Sequence, residues 1–351
     1  MAKRFSRNSF FSSDIGIDLG TANTLVYVRG RGIVISEPSV VTINEKTGQV
    51  VAVGKEAKLM LGKTPPHIRA VRPLEHGVIS DFEVTEELLA YLINKAQGGR
   101  SRLLGPRVVI GVPTGVTNVQ SRAVRDAAIT AGAREVFILE EPMAGAIGAK
   151  LPVTEPIGTM VLDIGGGTTD IAVIALGGAV AGKSSQVAGD RFNENITDFI
   201  RSEFQLAIGE KTAEDTKIAI GAVLPLEEAL ERPVRGRDLA TGLPREIVLT
   251  DTHIREALAP SLDSLLEAMK EVIENTPPEL LSDVLERGVT VFGGGALLRG
   301  LPELLSKMLG VPVHVASDPL TAVVRGTGIV TEDPRPWVDT FLNEDAIIQQ
   351  S

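Results

Sequence analysis

The sequence contains no cysteine. That absence removes disulfides, thiolate metal sites and cysteine nucleophiles together, and with no stretch resembling a signal peptide it makes the cytoplasm the expected compartment. No uninterrupted apolar run approaches the ~18 residues a spanning helix needs, so any membrane contact is expected to be peripheral. Positive charge is also short: 35 Lys plus Arg stand against 45 Asp plus Glu, a formal net charge of -10. A general polyanion-binding surface is disfavoured on this balance, and no nucleic-acid partner is expected. The histidines, His67, His76, His253 and His314, show no metal-ligand spacing. Neither glycine turn described below carries a lysine, which argues against the P-loop way of holding phosphate at those turns.

What is present is apolar material for large cores. Hydrophobic residues make up 43% of the 351, and this length suits two domains or one large one. The first eleven residues, MAKRFSRNSFF, combine Lys3, Arg4 and Arg7 with Phe5, Phe10 and Phe11, in a chain with only 10 phenylalanines. Cations facing anionic lipid and rings entering the interface predict that residues 1-11 contribute to peripheral membrane binding, against the plainer reading of a disordered tail.

Along the chain, strand-like runs IGIDL, TLVYV, GIVISEPSVVTIN and VVAVG are separated by turn signals and predict an antiparallel start. Helical spacing follows from about Thr85 to Ala96, then the strand RVVIGVP, a helix over Asn118 to Ala131, and the strand end FILEEP running into a helix at PMAGAIGAK. GTMVLDIGGGTTDIAVIAL then repeats the order of apolar strand, aspartate and glycine turn seen at the start in DIGIDLGTANTLVY. Helices are predicted over FNENITDFIRSEFQLAIG and TAEDTKIAIGAV, a hairpin over PVRGRDLATGLPREIVLT, and a helical region interrupted around Pro260 from about Thr252 to Asn275. RGVTVFGGGALLRGLPELLSKMLG gives strand, glycine turn and helix a third time.

The echo between Asp18 and Asp163, 145 positions apart, predicts two related α/β halves facing one ligand across a cleft. LGTANT offers Gly20 with the hydroxyls of Thr21 and Thr24 beside Asn23, and DIGGGTTD offers Gly165, Gly166 and Gly167 with Thr168 and Thr169. Successive backbone N–H groups in such turns cradle phosphate oxygens, since glycine lets them approach without a side-chain clash. Asp18 and Asp163 could then hold Mg²⁺ through water, although turns with outward aspartates are the competing explanation. Glu141 precedes Pro142, whose fixed φ sets a helix start, so its carboxylate could be aimed at a hydrolytic water with Thr168 as partner; Glu140 is its competitor.

DLGTANT at Asp18 to Thr24, IGVPTGVT at Ile110 to Thr117, EEPMAGAIGA at Glu140 to Ala149, DIGGGTTD at Asp163 to Asp170, RGRDLATGLP at Arg235 to Pro244 and FGGGALLRG at Phe292 to Gly300 form an ordered series. Over approximately residues 14 to 330 this series resembles the MreB family of bacterial actin homologues, within the wider superfamily of actin, Hsp70 and sugar-kinase ATPases. The resemblance implies an α/β actin-like ATPase fold, with two related domains, each with a smaller subdomain, closing over ATP and Mg²⁺. The division it implies is 12-150 and 151-330 for the two domains, with 331-351 packing on or near the first. It carries phosphate contacts onto Gly20, Thr21, Ala22, Asn23, Gly165, Gly166, Gly167 and Thr168, magnesium contacts onto Asp18 and Asp163, and sugar or base contacts onto Glu214, Lys217, Gly294 and Gly295. Glu141 and Thr168 take the catalytic roles.

It further implies ATP hydrolysis coupled to a homopolymer, an antiparallel double filament on the inner face of the cell membrane that works with cell-wall elongation proteins to maintain rod shape. The helix around Val119, Arg122 and Val124 is the expected contact between strands. Leu103 and Leu104, flanked by Arg100, Arg102 and Arg107, resemble a second membrane-contacting loop. A small-molecule kinase of the same fold remains the alternative. A chaperone-like ATPase fits less well, because the chain ends soon after GTGIVTEDPRPW and leaves little room for a large substrate domain.

Overall fold

The computed structural model describes residues 13–98 and 105–342. Two five-stranded sheets with one shared strand order form its body. In the first, Glu135–Glu140 lies beside Arg107–Val112, then Ile15–Leu19, Asn23–Val28 and Gly32–Pro38. The second runs Val313–Val315, Val289–Phe292, Thr159–Ile164, Thr169–Ala175 and Gly178–Ser185. Each central strand carries the aspartate, pairs antiparallel with the strand that follows it, and pairs parallel with a strand that arrives much later in sequence. The echo read in the sequence is therefore an echo of topology. All six residues of TMVLDI are buried, as expected of a strand covered on both faces.

Each sheet carries a smaller appendage. Val50–Val53, Val41–Asn44 and Ile68–Val71 form one small sheet beside the helix Lys55–Met60. Leu206–Ala207, Glu231–Asp238 and Pro244–Thr250 form the other, beside Glu210–Ile220. Helix starts follow their capping residues. Asp81 accepts from the Val84 N–H to open Phe82–Ala96, and Thr117 with Gln120 makes a reciprocal capping box for Asn118–Thr130.

Separate apolar clusters fill the two lobes, and a third joins them, including Val109, Leu139, Met143, Val161, Ile174, Phe292 and Val330. Within it the helices Glu141–Gly148 and Ala322–Glu332 cross with their backbones in contact. A Cβ at Gly326 would lie 1.7 Å from the Ala144 carbonyl oxygen, and one at Gly148 would lie 1.9 Å from that of Ala322. Ala322–Glu332 also packs on the first sheet, since a Cβ at Gly16 would meet Thr327 Oγ1 at 2.7 Å and the Tyr27 hydroxyl donates to Glu332 at 3.0 Å. A helix that sequence order puts in the second half thus lies against the first. Beyond it, Leu342 N–H donates to the Ile138 carbonyl at 3.0 Å and the Phe341 ring stacks 5.0 Å from Phe137.

Three local expectations change. Asp251–Glu274 is one continuous helix with Pro260 inside it. Pro260 is on the solvent face, where the carbonyl it cannot bond reaches water, while Ile254, Leu258, Leu262 and Leu265 bury the opposite face on both sides of it. The helix containing FNENITDFIRSEF stops at Phe204, because Gln205 takes a left-handed φ of 50° before the short strand Leu206–Ala207. Val124, expected on the surface, is only 7% exposed and belongs to the first-lobe core, whereas Val119 is 77% exposed.

Replacing Gly326 with alanine should separate the crossing helices. The expected loss is about 1–3 kcal/mol or more of unfolding free energy, measured by denaturant titration, while alanine at Gly178, an uncrowded strand-start residue, should cost far less.

Candidate functional site

The strand Ile15–Leu19 carries Asp18 at its next-to-last position, at the base of a tight hairpin whose turn is Gly20, Thr21 and Ala22. Thr159–Ile164 likewise carries Asp163 next to last, before Gly165, Gly166 and Gly167, and Gly165 N–H closes that turn on the Thr168 carbonyl at 2.9 Å. The turns face each other at contact distance. A Cβ on Gly166 would lie 2.6 Å from the Ala22 Cβ, and one on Gly167 would lie 2.6 Å from Thr21 Oγ1. Glycine is required there by space rather than by φ.

Between the lobes lies a cavity of about 670 Å³. Its walls include every residue expected at the site: Asp18, Gly20, Thr21, Ala22, Asn23, Glu141, Asp163, Gly165, Gly166, Gly167, Thr168, Glu214, Lys217, Gly294 and Gly295. Segments separated by as many as 277 positions thus meet at one space. Glu141 is 8% exposed and lines this cavity, with its Cγ packed over Gly111. Its competitor Glu140 instead accepts from the Gly115 N–H at 3.4 Å, outside the cavity wall.

Acidic groups crowd the floor. Burial pushes Asp18 up to about 7. Burial, followed by the negative charges of Asp170, Asp18 and Asp163, holds Glu141 well above the usual carboxylate range, and Asp163 is raised by burial and by Asp170 and Asp18. Asp170 is raised by burial and pulled back by the Thr114 amide, 2.7 Å away, and by the hydroxyls of Ser184 and Thr168.

Elsewhere on the wall Lys217 sits among acidic and apolar neighbours. Lys217 Nζ donates to the Gly189 carbonyl at 2.7 Å and lies 5.8 Å from the Phe192 ring centre; burial lowers it to about 8 although Glu214, Asp190 and Glu210 pull it up. Ion pairs bridge the mouth between the small subdomains. Lys58 Nζ is 3.2 Å from Glu214, and Arg72 reaches both Glu210 and, at 3.8 Å, Asp190.

Over residues 12–337 the chain matches the family described as MreB/Mbl protein. The chain belongs to the MreB/Mbl family. It is 51% identical over 336 residues to the Cell shape-determining protein MreB of Escherichia coli (strain K12), covering 95% of this chain and 96% of that protein. To the Cell shape-determining protein Mbl of Bacillus subtilis (strain 168) it is 48% identical over 323 residues, covering 92% and 97%. The crystal structure of MreB 5 of Spiroplasma citri bound to AMPPNP superposes with a TM-score of 0.87 at 39% identity, over 92% of this chain and 97% of that one. The fold is the actin-like ATPase fold that the ordered series implied.

Sequence reading of this MreB/Mbl chain missed Asp170 and Thr114 at the floor and Lys58 and Arg72 at the mouth. The second aspartate of DIGGGTTD was visible as a signal, because the turn places it opposite Asp163 in strand register. The mouth cations carry no local pattern that marks them.

The pKa of Asp18 generates a stability test. In the folded chain without metal or nucleotide, a carboxyl raised from 3.8 to about 7 binds its proton more tightly than in the unfolded chain. Its contribution is full below about pH 4 and is lost as pH rises through about 7. Asp18→Asn removes the loss, so in chelator the variant should melt above the unaltered chain at pH 8, by up to ~4 kcal/mol, with the gap narrowing toward pH 4. A gap independent of pH in thermal melts would contradict this assignment.

Proposed function

We propose that this MreB/Mbl chain is an ATP-dependent, membrane-associated cytoskeletal filament protein, an ATPase whose hydrolysis times its own assembly and which organises cell-wall synthesis to maintain rod shape. The observation that carries this reading is the cleft, where glycine turns from two like-built lobes face one cavity walled by a buried glutamate. Its two domains are taken as 12-150 and 151-330, with the segment from 331 on or near the first, amended so that the whole helix Ala322–Glu332 belongs with the first sheet.

In this reading the backbone N–H groups of Gly20, Thr21, Ala22, Asn23, Gly165, Gly166 and Gly167 and the Thr168 hydroxyl receive phosphate oxygens. Glu214 and Lys217 face the ribose and base, and Gly294 and Gly295 leave a flat backbone wall for the adenosine. Glu141 takes a proton from the attacking water. Its raised pKa makes it the stronger base, and its burial keeps that carboxylate away from bulk solvent. Thr168 orients the same water.

The residues present suit Mg²⁺. Raised pKa values at Asp18, Glu141 and Asp163 mark a charge surplus that a divalent cation relieves. Among the described residues no group of three or more His, Asp or Glu side chains is arranged to grip a metal directly, which suits an ion held by Asp18 and Asp163 through water and by phosphate oxygens. Bound there, Mg²⁺ would neutralise charge developing on the transferred phosphoryl group.

Head-to-tail contact between unlike surfaces propagates a filament without closing it. Val119 and Arg122, exposed on Asn118–Thr130, offer a contact between two antiparallel filaments. No helix among the described residues is long and apolar enough to cross a membrane. Residues 1-11 and the Leu103-Leu104 loop, the two anchors read from the sequence, lie outside the described residues; weak anchors gain strength when repeated along a polymer on the inner face of the membrane. The relatives named for determining cell shape support a partnership with cell-wall elongation proteins.

Glu141→Ala should leave nucleotide affinity near that of the unaltered chain and slow phosphate release by about 100- to 10,000-fold. Turnover unchanged by that substitution would remove Glu141 from the mechanism. Electron microscopy on lipid with ATP should show paired filaments, and their absence across nucleotide and salt conditions would sink the assembly reading. Changing Leu103 and Leu104 to serine should reduce liposome co-sedimentation while leaving polymer length unchanged.

A further inference from the structure

The LGTANT turn offers two threonine hydroxyls, and the structure separates them. Thr21 lines the cavity, whereas Thr24 is fully buried, stands outside the cavity wall, and places its Oγ1 2.8 Å from Ser39 Oγ behind the turn. Ser39 is also fully buried and outside that wall. It stands between Gly32–Pro38 and Val41–Asn44, where the first large sheet passes into its smaller appendage. The next residue continues the link, since the Val40 carbonyl accepts from the Gly54 N–H at 2.9 Å, at the start of Lys55–Met60.

Both polar groups of Ser39 that donate serve the same turn. Its Oγ donates to the Gly20 carbonyl at 2.5 Å, and its N–H donates to the Ala22 carbonyl at 3.1 Å. A hydroxyl has one proton, so with that of Ser39 committed to Gly20, the Thr24 hydroxyl is the donor in their pair. Two buried hydroxyls thus form a short chain that ends on one backbone carbonyl of the turn.

The consequence is in the peptide groups. In a planar trans unit the C=O and the N–H that follows it point in opposite directions, and among the described residues no peptide bond is cis. Drawing the Gly20 carbonyl back onto Ser39 therefore turns the Thr21 N–H forward, and drawing the Ala22 carbonyl back does the same for the Asn23 N–H. Gly20, Thr21, Ala22 and Asn23 all line the cavity that Ser39 stands behind, so forward is toward the cleft. A carbonyl released from Ser39 could swing forward instead, and its negative end would oppose an anion there.

We propose that Ser39 is the positioning residue of the first phosphate turn: it holds the Gly20 and Ala22 carbonyls back so that the N–H groups of Thr21 and Asn23 meet phosphate oxygens, with Thr24 fixing the direction of the Ser39 hydroxyl. This rests on the nucleotide-binding reading above. No bond to the nucleotide forms at Ser39 itself. Its effect falls on the phosphate chain alone, because the sugar and base contacts are assigned to Glu214, Lys217, Gly294 and Gly295, which belong to the other lobe.

Ser39→Ala removes the hydroxyl and leaves the N–H bond to Ala22 in place. The affinity of the unassembled full chain for ATP with Mg²⁺, measured by displacement of a fluorescent ATP analogue, should fall about tenfold, the scale of one well-placed hydrogen bond. Adenosine displacing the same analogue should keep its affinity within about twofold, since it carries no phosphate for the turn to hold. Thr42→Val provides the control. It removes another fully buried hydroxyl of the appendage, one without a hydrogen-bond partner among the described residues, and should leave both affinities within about twofold.

Unchanged ATP affinity in Ser39→Ala, an equal loss for adenosine, or the same loss of ATP in Thr42→Val overturns the proposal, because Ser39 would then serve the fold and not the turn. Should Ser39→Ala fail to fold, Thr24→Ser and Thr24→Val decide instead. The serine keeps the proton donated to Ser39 and should hold ATP as the unaltered chain does, while the valine keeps only the shape and should hold it about threefold more weakly. Equal ATP affinity in those two overturns the inference. Failure of the unaltered chain to bind ATP is a different result, one that removes the nucleotide-binding reading itself and this inference with it.

Discussion

The close approach of two helix backbones sets the geometry of the cleft. Glu141–Gly148 and Ala322–Glu332 cross where Gly148 and Gly326 carry no side chain, with carbonyl oxygens occupying the space a Cβ would need. One helix begins with Glu141, and the other lies on the strand that carries Asp18. On the same helix, Gly145 makes room for the Phe292 ring, and the strand ending at Phe292 leads into the Gly293–Gly295 wall. A single contact of backbone on backbone therefore fixes the glutamate, the first aspartate and the third glycine turn relative to one another. Close-packed interiors transmit such a constraint, because no soft layer lies between the parts.

On that frame the charges are sorted by depth. Carboxyls at the floor are buried and repel one another, which weakens them as acids, while the cations facing acidic groups at the mouth stay partly in water. Poor screening at the floor enlarges each interaction there, so a ligand carrying phosphate and a divalent ion meets its strongest field where the cleft is narrowest in polar choice. Phe192, buried beside the Lys217 ammonium, gives the cavity an apolar side.

Much of this was legible in the chain. Alternating apolar runs broken by glycine gave the hairpins, the Asp18 and Asp163 echo anticipated two sheets of one order, and Pro142 after Glu141 correctly marked a helix start. What escaped depends on partners far away in sequence. The amide that bonds Asp170 comes from Thr114, 56 positions away, Lys58 and Arg72 gain meaning only from acids on the other lobe, and Val124 turns inward because the helix packs on a core assembled from distant strands. Pro260 misled for a related reason: local propensity favours a break, but the buried stripe on both sides of it holds one helix. The return of Ala322–Glu332 to the first sheet rests on glycine contacts that have no periodic signature.

The ion pairs at the mouth contrast with the helix crossing at the base. Lys58–Glu214 and Arg72–Glu210 join side chains that remain about a third to a half exposed, and such pairs contribute at most about 1 kcal/mol each. The molecule is consequently stiff at its heel and compliant at its lip, like tweezers whose tips are held by weak magnets. Parting the tips requires hydration of five charged groups, Asp190 beside Arg72 included, whereas displacing the heel requires unpacking a core. Nucleotide traffic through the cleft can then run on small fluctuations that leave the catalytic floor assembled, and dissolved salt, by screening the tips alone, changes how often they part without loosening the frame.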